Sequence, residues 1–230
     1  MRHPFVAVWA LAVVLGASLS GCARSDDPGT LRTFEPETTA SSPSPKATAG
    51  DRDVCKLLTA KERKSIAGER IDIVAPARES SQCRWVKSLK VRLSTSITVQ
   101  TSSAQDWVRL LPGLIDGTIA EGKADDKDIK RLVADKKRVA EGTDKIGNRE
   151  ACEMFASLVE AYRGEKEIRT MVTFQPSGDS ASALAQTCSQ GRFTALRYAE
   201  RDLYPSSALN AAMLRVLGYA HERAIKRGSE

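Results

Sequence analysis

Downstream of residue 50, apolar positions alternate between a helical spacing of three to four and a strand spacing of two. In "LLTAKERKSIAG", Thr59 and Glu62 form a T-x-x-E capping box, Leu58 staples the approach and Gly68 marks the stop, which predicts a short helix. Apolar runs follow at residues 71–74 and 83–86. "VRLSTSITVQ" then sets Val91, Leu93, Ile97 and Val99 inward against Arg92, Ser94, Ser96 and Thr98 outward, the pattern of a half-buried antiparallel strand. Ser103 is placed to cap a helix carrying Trp107, Leu110 and Leu111 on one face. Pro112-Gly113 breaks or kinks that helix ahead of Leu114 and Ile115. Residues 125–140 are dense in charge, with Ile129, Leu132, Val133 and Val139 as a narrow apolar stripe; they predict a helix lying on the surface.

The second half reads less simply. "EACEMFASLVEAY" fits a helix through Ala151, Phe155, Leu158, Val159 and Tyr162, and a strand through Cys152, Met154, Ala156 and Leu158. With Arg163-Gly164 as the turn and the β-formers of 168–174 beyond it, the hairpin is preferred. Residues 180–189 read as a short helix stopped by Gly191, and 192–198 as a strand. Ser206 or Ser207 caps a final helix with Leu209, Met213, Val216, Leu217, Ala220 and Ala224 on its core face. These elements predict an α+β domain over residues 51–230, an antiparallel sheet packed against several helices.

The first fifty residues follow other rules. Arg2 precedes an almost wholly apolar run, residues 5–17, and small residues come next: the layout of a secretory signal peptide over residues 1–21. The run is shorter than the roughly 20 apolar residues that span a bilayer as a helix. Its exit, Leu19-Ser20-Gly21-Cys22, resembles the bacterial lipobox, in which the cysteine thiol is alkylated by diacylglycerol and the signal is cut just before it. Cys22 is thus the expected lipidation site and membrane contact, since two acyl chains anchor stably where one is marginal. Residues 22–50 hold four prolines, many Ser and Thr and few large apolar side chains. Such a composition cannot build a core, and as a coil of about 28 residues it reaches roughly 30 Å. The expected location is the extracytoplasmic face of the cell membrane.

Charge and cysteine count narrow the chemistry. The chain holds 35 Lys and Arg against 29 Asp and Glu, and residues 51–230 hold 31 against 25. Outside the membrane, that mild basic excess favours anionic head groups or wall polymers over nucleic acid. Four cysteines lie in the domain: Cys55, Cys83, Cys152 and Cys188. An even count in an exported chain points to two disulfides with three possible connectivities. The local one, Cys55–Cys83 with Cys152–Cys188, is preferred as one staple per half. No C-x-x-C occurs, and one histidine lies beyond the signal, so neither a metal site nor a cofactor is assigned.

The search for catalysis assigns no catalytic residue. The chain lacks G-x-x-x-x-G-K-[ST], H-E-x-x-H, G-x-S-x-G and S-x-x-K. His221 sits four residues after Leu217 and four before Ile225, at the margin of the last helix's apolar face, and is read as a packed or helix-terminal histidine. Trp85 and Trp107 are read as core, with stacking on carbohydrate as the rival role. Arg192 and Arg197 could hold an anion, and are read as surface arginines. The 25 acidic residues of the domain leave room for a carboxylate pair of the glycosidase kind.

Several segments together resemble a known group: "DVCKLLTAKERKSIAG", "QCRWV", "IGNREACEMF", "TCSQGRFTAL" and "ALNAAMLRVLGYAHERA". They are similar to a family of actinobacterial lipoproteins that share a lipobox, a tether and a domain of unknown function, over residues 51–225. The resemblance implies an exported α+β domain with paired cysteines, and it implies no activity. The expected function is a tethered, non-enzymatic module that binds an envelope protein, polymer or small ligand. The alternative is an envelope hydrolase using a carboxylate pair on glycan or lipid-linked substrates.

Overall fold

The computed structural model describes residues 53–76, 80–90, 95–122, 124–164, 169–177 and 180–228. The signal peptide, Cys22 and the tether lie outside the described residues, as do Val91, Leu93 and Ile168 of the expected strands.

A 3-10 turn, Asp53–Leu57, leads into helix α1 (Ala60–Ala67). Its capping box is complete: Glu62 N–H donates to the Thr59 hydroxyl at 3.3 Å, and Thr59 N–H donates to the Glu62 carboxylate at 2.7 Å. Strands β1 (Ile73–Val74), β2 (Gln82–Val86) and β3 (Ser96–Ser103) then form an antiparallel meander. Helices α2 (Ala104–Trp107), α3 (Leu111–Ala120), α4 (Asp126–Ala140) and α5 (Asn148–Arg163) come next, followed by a second meander, β4 (Thr170–Ser177), β5 (Ser180–Ser189) and β6 (Arg192–Glu200). Helix α6 (Ser207–Gly228) closes the chain, its first turn capped by the Ser206 hydroxyl, which accepts from Leu209 N–H at 3.1 Å. The meanders join through β3 and β6 into one six-stranded antiparallel sheet, β1-β2-β3-β6-β5-β4. The fold is α+β, as the periodicities predict.

Two expectations are corrected. Residues 151–162 are not half of a hairpin; they belong to α5, ended by Gly164 at φ +68°. Both periodicities fitted because this helix is enclosed over most of its circumference: Ala151, Cys152, Met154, Phe155, Leu158, Val159 and Ala161 are all buried. With that much apolar surface, the strong helix propensity of Ala, Glu, Met and Leu decides the conformation. Residues 180–189 are not a helix either; they form β5, between β4 and β6. Here a sequence of reasonable helix formers is overridden by two flanking strands, and its small residues Ala183 and Ala185 sit in the core facing α6.

The sheet separates two apolar clusters. On the first face, α1, α6 and the opening 3-10 turn cover Cys83, Trp85, Ile97, Val99, Leu196 and Tyr198. On the second, α2–α5 gather Trp107, Phe155, Phe193 and their neighbours. The preferred pairing is present, one disulfide on each face. Cys55–Cys83 joins the opening turn to β2, and Cys152–Cys188 joins α5 to β5, with Cα atoms 5.1 and 5.2 Å apart. Glu62 accepts both from the α1 cap and from the Arg223 guanidinium on α6, at 2.7 and 2.8 Å. Burial pushes its carboxyl up, but the Arg223 and Thr59 hydrogen bonds outweigh that and hold it below the usual carboxylate range. Arg63 is buried, donating to the Ile71 and Leu58 carbonyls and to Asp72, with its guanidinium 4.7 Å from the Trp85 ring centre. Buried charge is tolerable there because each guanidinium nitrogen donates to an acceptor and the group also meets a π-face.

A polar trough on the second face of the sheet

The second face is only partly roofed by helices. Alternation places cross-strand rows on it: Gln82, Gln100, Ala195 and Gln186 in one, Arg84, Thr98, Arg197 and Leu184 in the next. Where α2–α5 cover the sheet, the residues are apolar and include Phe193 and Cys188. Beyond that cover they turn polar. The segment α2–α3 stands beside this bare part as a wall, contributing Trp107, Arg109, Leu110 and Leu114, and the two enclose a trough of about 1490 Å³.

Local sequence explains the wall. Ser103 ends β3 and caps α2, its hydroxyl accepting from Asp106 N–H at 3.0 Å. A 3-10 turn, Val108–Leu110, then bends the chain before Pro112 starts α3 within its first turn, where a missing N–H costs nothing. The bend turns Leu110 outward: it is 62% exposed, whereas Leu111 is fully buried. The expected shared face of Trp107, Leu110 and Leu111 is therefore split, with Leu110 on the trough's lip.

The trough's charge is lopsided. Arg84, Arg109 and Arg197 are exposed and have no ion pair among the described residues. The carboxylates that also line it, Asp106 and Glu200, are engaged by neutral donors. The Ser103 hydroxyl donates to Asp106 at 2.6 Å, and the Tyr198 phenol donates to Glu200 at 2.6 Å. Burial, then Glu200, pushes the Tyr198 phenol well above its ordinary value, so it remains a donor. Trp107 is buried behind the wall, held edge-on by Phe155 at 5.2 Å and stacked on Phe193 at 5.1 Å. Its Nε1 is buried without a hydrogen-bond partner among the described residues.

The other candidates fall elsewhere. Trp85 is core, beside Arg63 on the first face. Arg197 stands in the middle of the trough, while Arg192 lines its margin near His221, whose imidazole it helps to hold down. His221 is buried on α6, with Nε2 2.7 Å from the Ser189 hydroxyl and Nδ1 2.9 Å from that of Thr194. Those two partners, on neighbouring strands, escape sequence reasoning because nothing in the chain order brings 189, 194 and 221 together. A serine on a histidine is the start of a nucleophile–base arrangement, but the third group is a neutral threonine, and neither Ser189 nor His221 lines the trough. Among the described residues, the carboxyl held above the carboxylate range is Asp135 of α4. Burial raises it despite Arg131, and it too lies outside the trough. No set of three or more metal-ligating side chains occurs among the described residues, and none of their helices is long and apolar enough to cross a membrane.

Arg84, Gln100 and Gln186 were not singled out by sequence. Their signal was present as the polar half of the strand alternation, which reads equally well as an ordinary wet face. Comparison of the chain with protein-family models, curated proteins and solved structures finds no match.

Proposed function

We propose that this protein is a membrane-tethered lipoprotein of the kind its lipobox and tether resemble, and that its α+β domain is a binding module whose ligand seats in the sheet-face trough. The observation that carries the reading is the trough itself: a broad concave surface built on rigid strands, lined by amides and by guanidinium groups with no ion pair among the described residues. Ligand sites are concave and preformed, with a few polar groups fixing orientation. Placement on strands holds those groups more rigidly than loops would. A hydrolase using a carboxylate pair has less support, because the trough's two carboxylates are each committed to a neighbouring hydroxyl and its unsatisfied groups are donors.

The test is site-directed photo-crosslinking in intact cells. A benzophenone amino acid replaces Thr98 on the trough floor or Lys130 on the exposed side of α4, in chains with Cys22 or with Cys22→Ala. The expected result is an adduct from position 98 and none from position 130, with membrane partitioning that depends on Cys22. Equal adducts from both positions would remove the trough as the binding site, and membrane retention of the Cys22→Ala chain at the normal mature size would remove the anchor.

A further inference from the structure

The trough's lining specifies more than an opening, and it narrows the ligand class; this step rests on the binding reading above. Arg84 and Arg197 flank Thr98 on successive strands, which puts their Cα atoms roughly 10 Å apart. Arg109 approaches from the wall. Three guanidinium groups without carboxylate partners among the described residues, in a trough whose own acids are engaged, complement negative charge. Guanidinium in particular offers a two-pronged fit to carboxylate or phosphate.

Dimensions and lining distinguish among anions. The floor spans four strands, about 14 Å, and residues 96–102 of β3 add roughly 20 Å of length. That is too large for a lone small anion. Between the charges lie amides and hydroxyls, Gln82, Gln100, Gln186 and Thr98 among them, suited to the many hydroxyl groups of a polyol. Leu110 and Leu114 on the lip suit the C–H faces of sugar or polyol units. A lipid would need an apolar channel for its chains, and the floor is polar.

We infer that the trough binds an acidic glycan or polyol polymer, with Arg84 and Arg197 holding its carboxylate or phosphate groups and the floor amides its hydroxyls. No bond is made or broken.

The full chain in detergent is titrated by calorimetry with polygalacturonate, with polyglycerol phosphate, with neutral dextran and with phosphatidylglycerol vesicles. Binding to one or both acidic polymers is expected, weakening as salt rises to 0.5 M, and absent for dextran. The two polymers distinguish carboxylate from phosphate as the recognised group. Arg84→Gln and Arg197→Gln should each weaken binding about tenfold or more, while Arg149→Gln on α5, an exposed arginine outside the trough lining, leaves it unchanged. Because all three side chains are at the surface, thermal melting of each variant should match the parent. Binding to vesicles but to neither polymer, equal binding to dextran, or equal loss with Arg149→Gln would overturn the inference. A crosslinked adduct at position 98 that is indifferent to both trough arginines would also overturn it while leaving the binding reading in place.

Discussion

His221 is one of two histidines in the chain, and its surroundings make it a stability element with a definite pH signature. Burial, reinforced by the Arg192 cation, pushes its imidazole below the ordinary value of 6.5. In the unfolded chain it takes up a proton near that ordinary value, whereas the folded chain resists. The stability it contributes is therefore complete above about pH 6.5 and is lost as pH falls below it. Replacing it by glutamine removes two hydrogen bonds across α6 and the β5–β6 hairpin, so His221→Gln should be less stable by about 1–3 kcal/mol at pH 7.5. Since the variant has no imidazole to protonate, the gap should narrow towards pH 5.5. Urea unfolding of both proteins at pH 7.5, 6.5 and 5.5 measures it, and parallel profiles would show that His221 stays uncoupled from folding. The chain order shows a histidine beside an apolar stripe; which hydroxyls it meets depends on strands far away in sequence.

Among the elements, the β5–β6 hairpin shows how a turn joins the layers. Gln190 and Gly191 both have positive φ, +47° and +73°, the geometry that matches the twist of a two-residue hairpin. Gly191 is constrained twice over. A Cβ there would lie 2.9 Å from the Asn148 Cβ at the start of α5, and the Gly191 carbonyl accepts from Ala104 N–H of α2 at 2.9 Å. Gly191→Ala should thus cost about 1–3 kcal/mol through backbone strain and collision combined. A thermal melt checks it, with Gly117→Ala, in the open interior of α3 with nothing within 4 Å of the new Cβ, as a neutral or slightly stabilising comparison. Gly191 is legible in the sequence as a stop signal. Read without its neighbours it ends a helix, since alanine-rich 180–189 has no strong β pattern of its own. In the fold it turns one strand into the next.

For the whole molecule, the two disulfides brace opposite faces of one sheet. Each closes a loop of similar length, with separations of 28 and 36 residues. Removing either by paired Cys→Ser substitution should cost roughly 3–4 kcal/mol on the chain-entropy account. Because the pairs lie in separate apolar clusters, their losses should add within about 0.5 kcal/mol. Denaturant unfolding of the two double variants and the quadruple variant tests this. A quadruple variant no worse than either double would mean that the two faces do not fold as independent contributors.

By itself the sequence determined the local features whose causes are local. The Thr59–Glu62 capping box, the Ser103 and Ser206 caps and the inward Ile97 and Val99 of β3 appear where the residues place them, whereas the α4 stripe is only half buried, with Leu132 and Val139 inside and Val133 51% exposed. The pairing of the cysteines was narrowed to three arrangements, and folding selected the local one. Tertiary structure decided what propensity leaves balanced. Enclosure on several sides made 148–163 a helix, and neighbours on both edges made 180–189 a strand. It also decided the candidate site. Arg84, Thr98 and Arg197 are polar residues on strands, as a solvent-facing sheet requires. They line a trough because two meanders meet at β3 and β6 and the helical layer stops short of covering that face. Alternation specifies which side chains share a face of a strand; only packing determines whether that face meets open water, a helix or the floor of a groove.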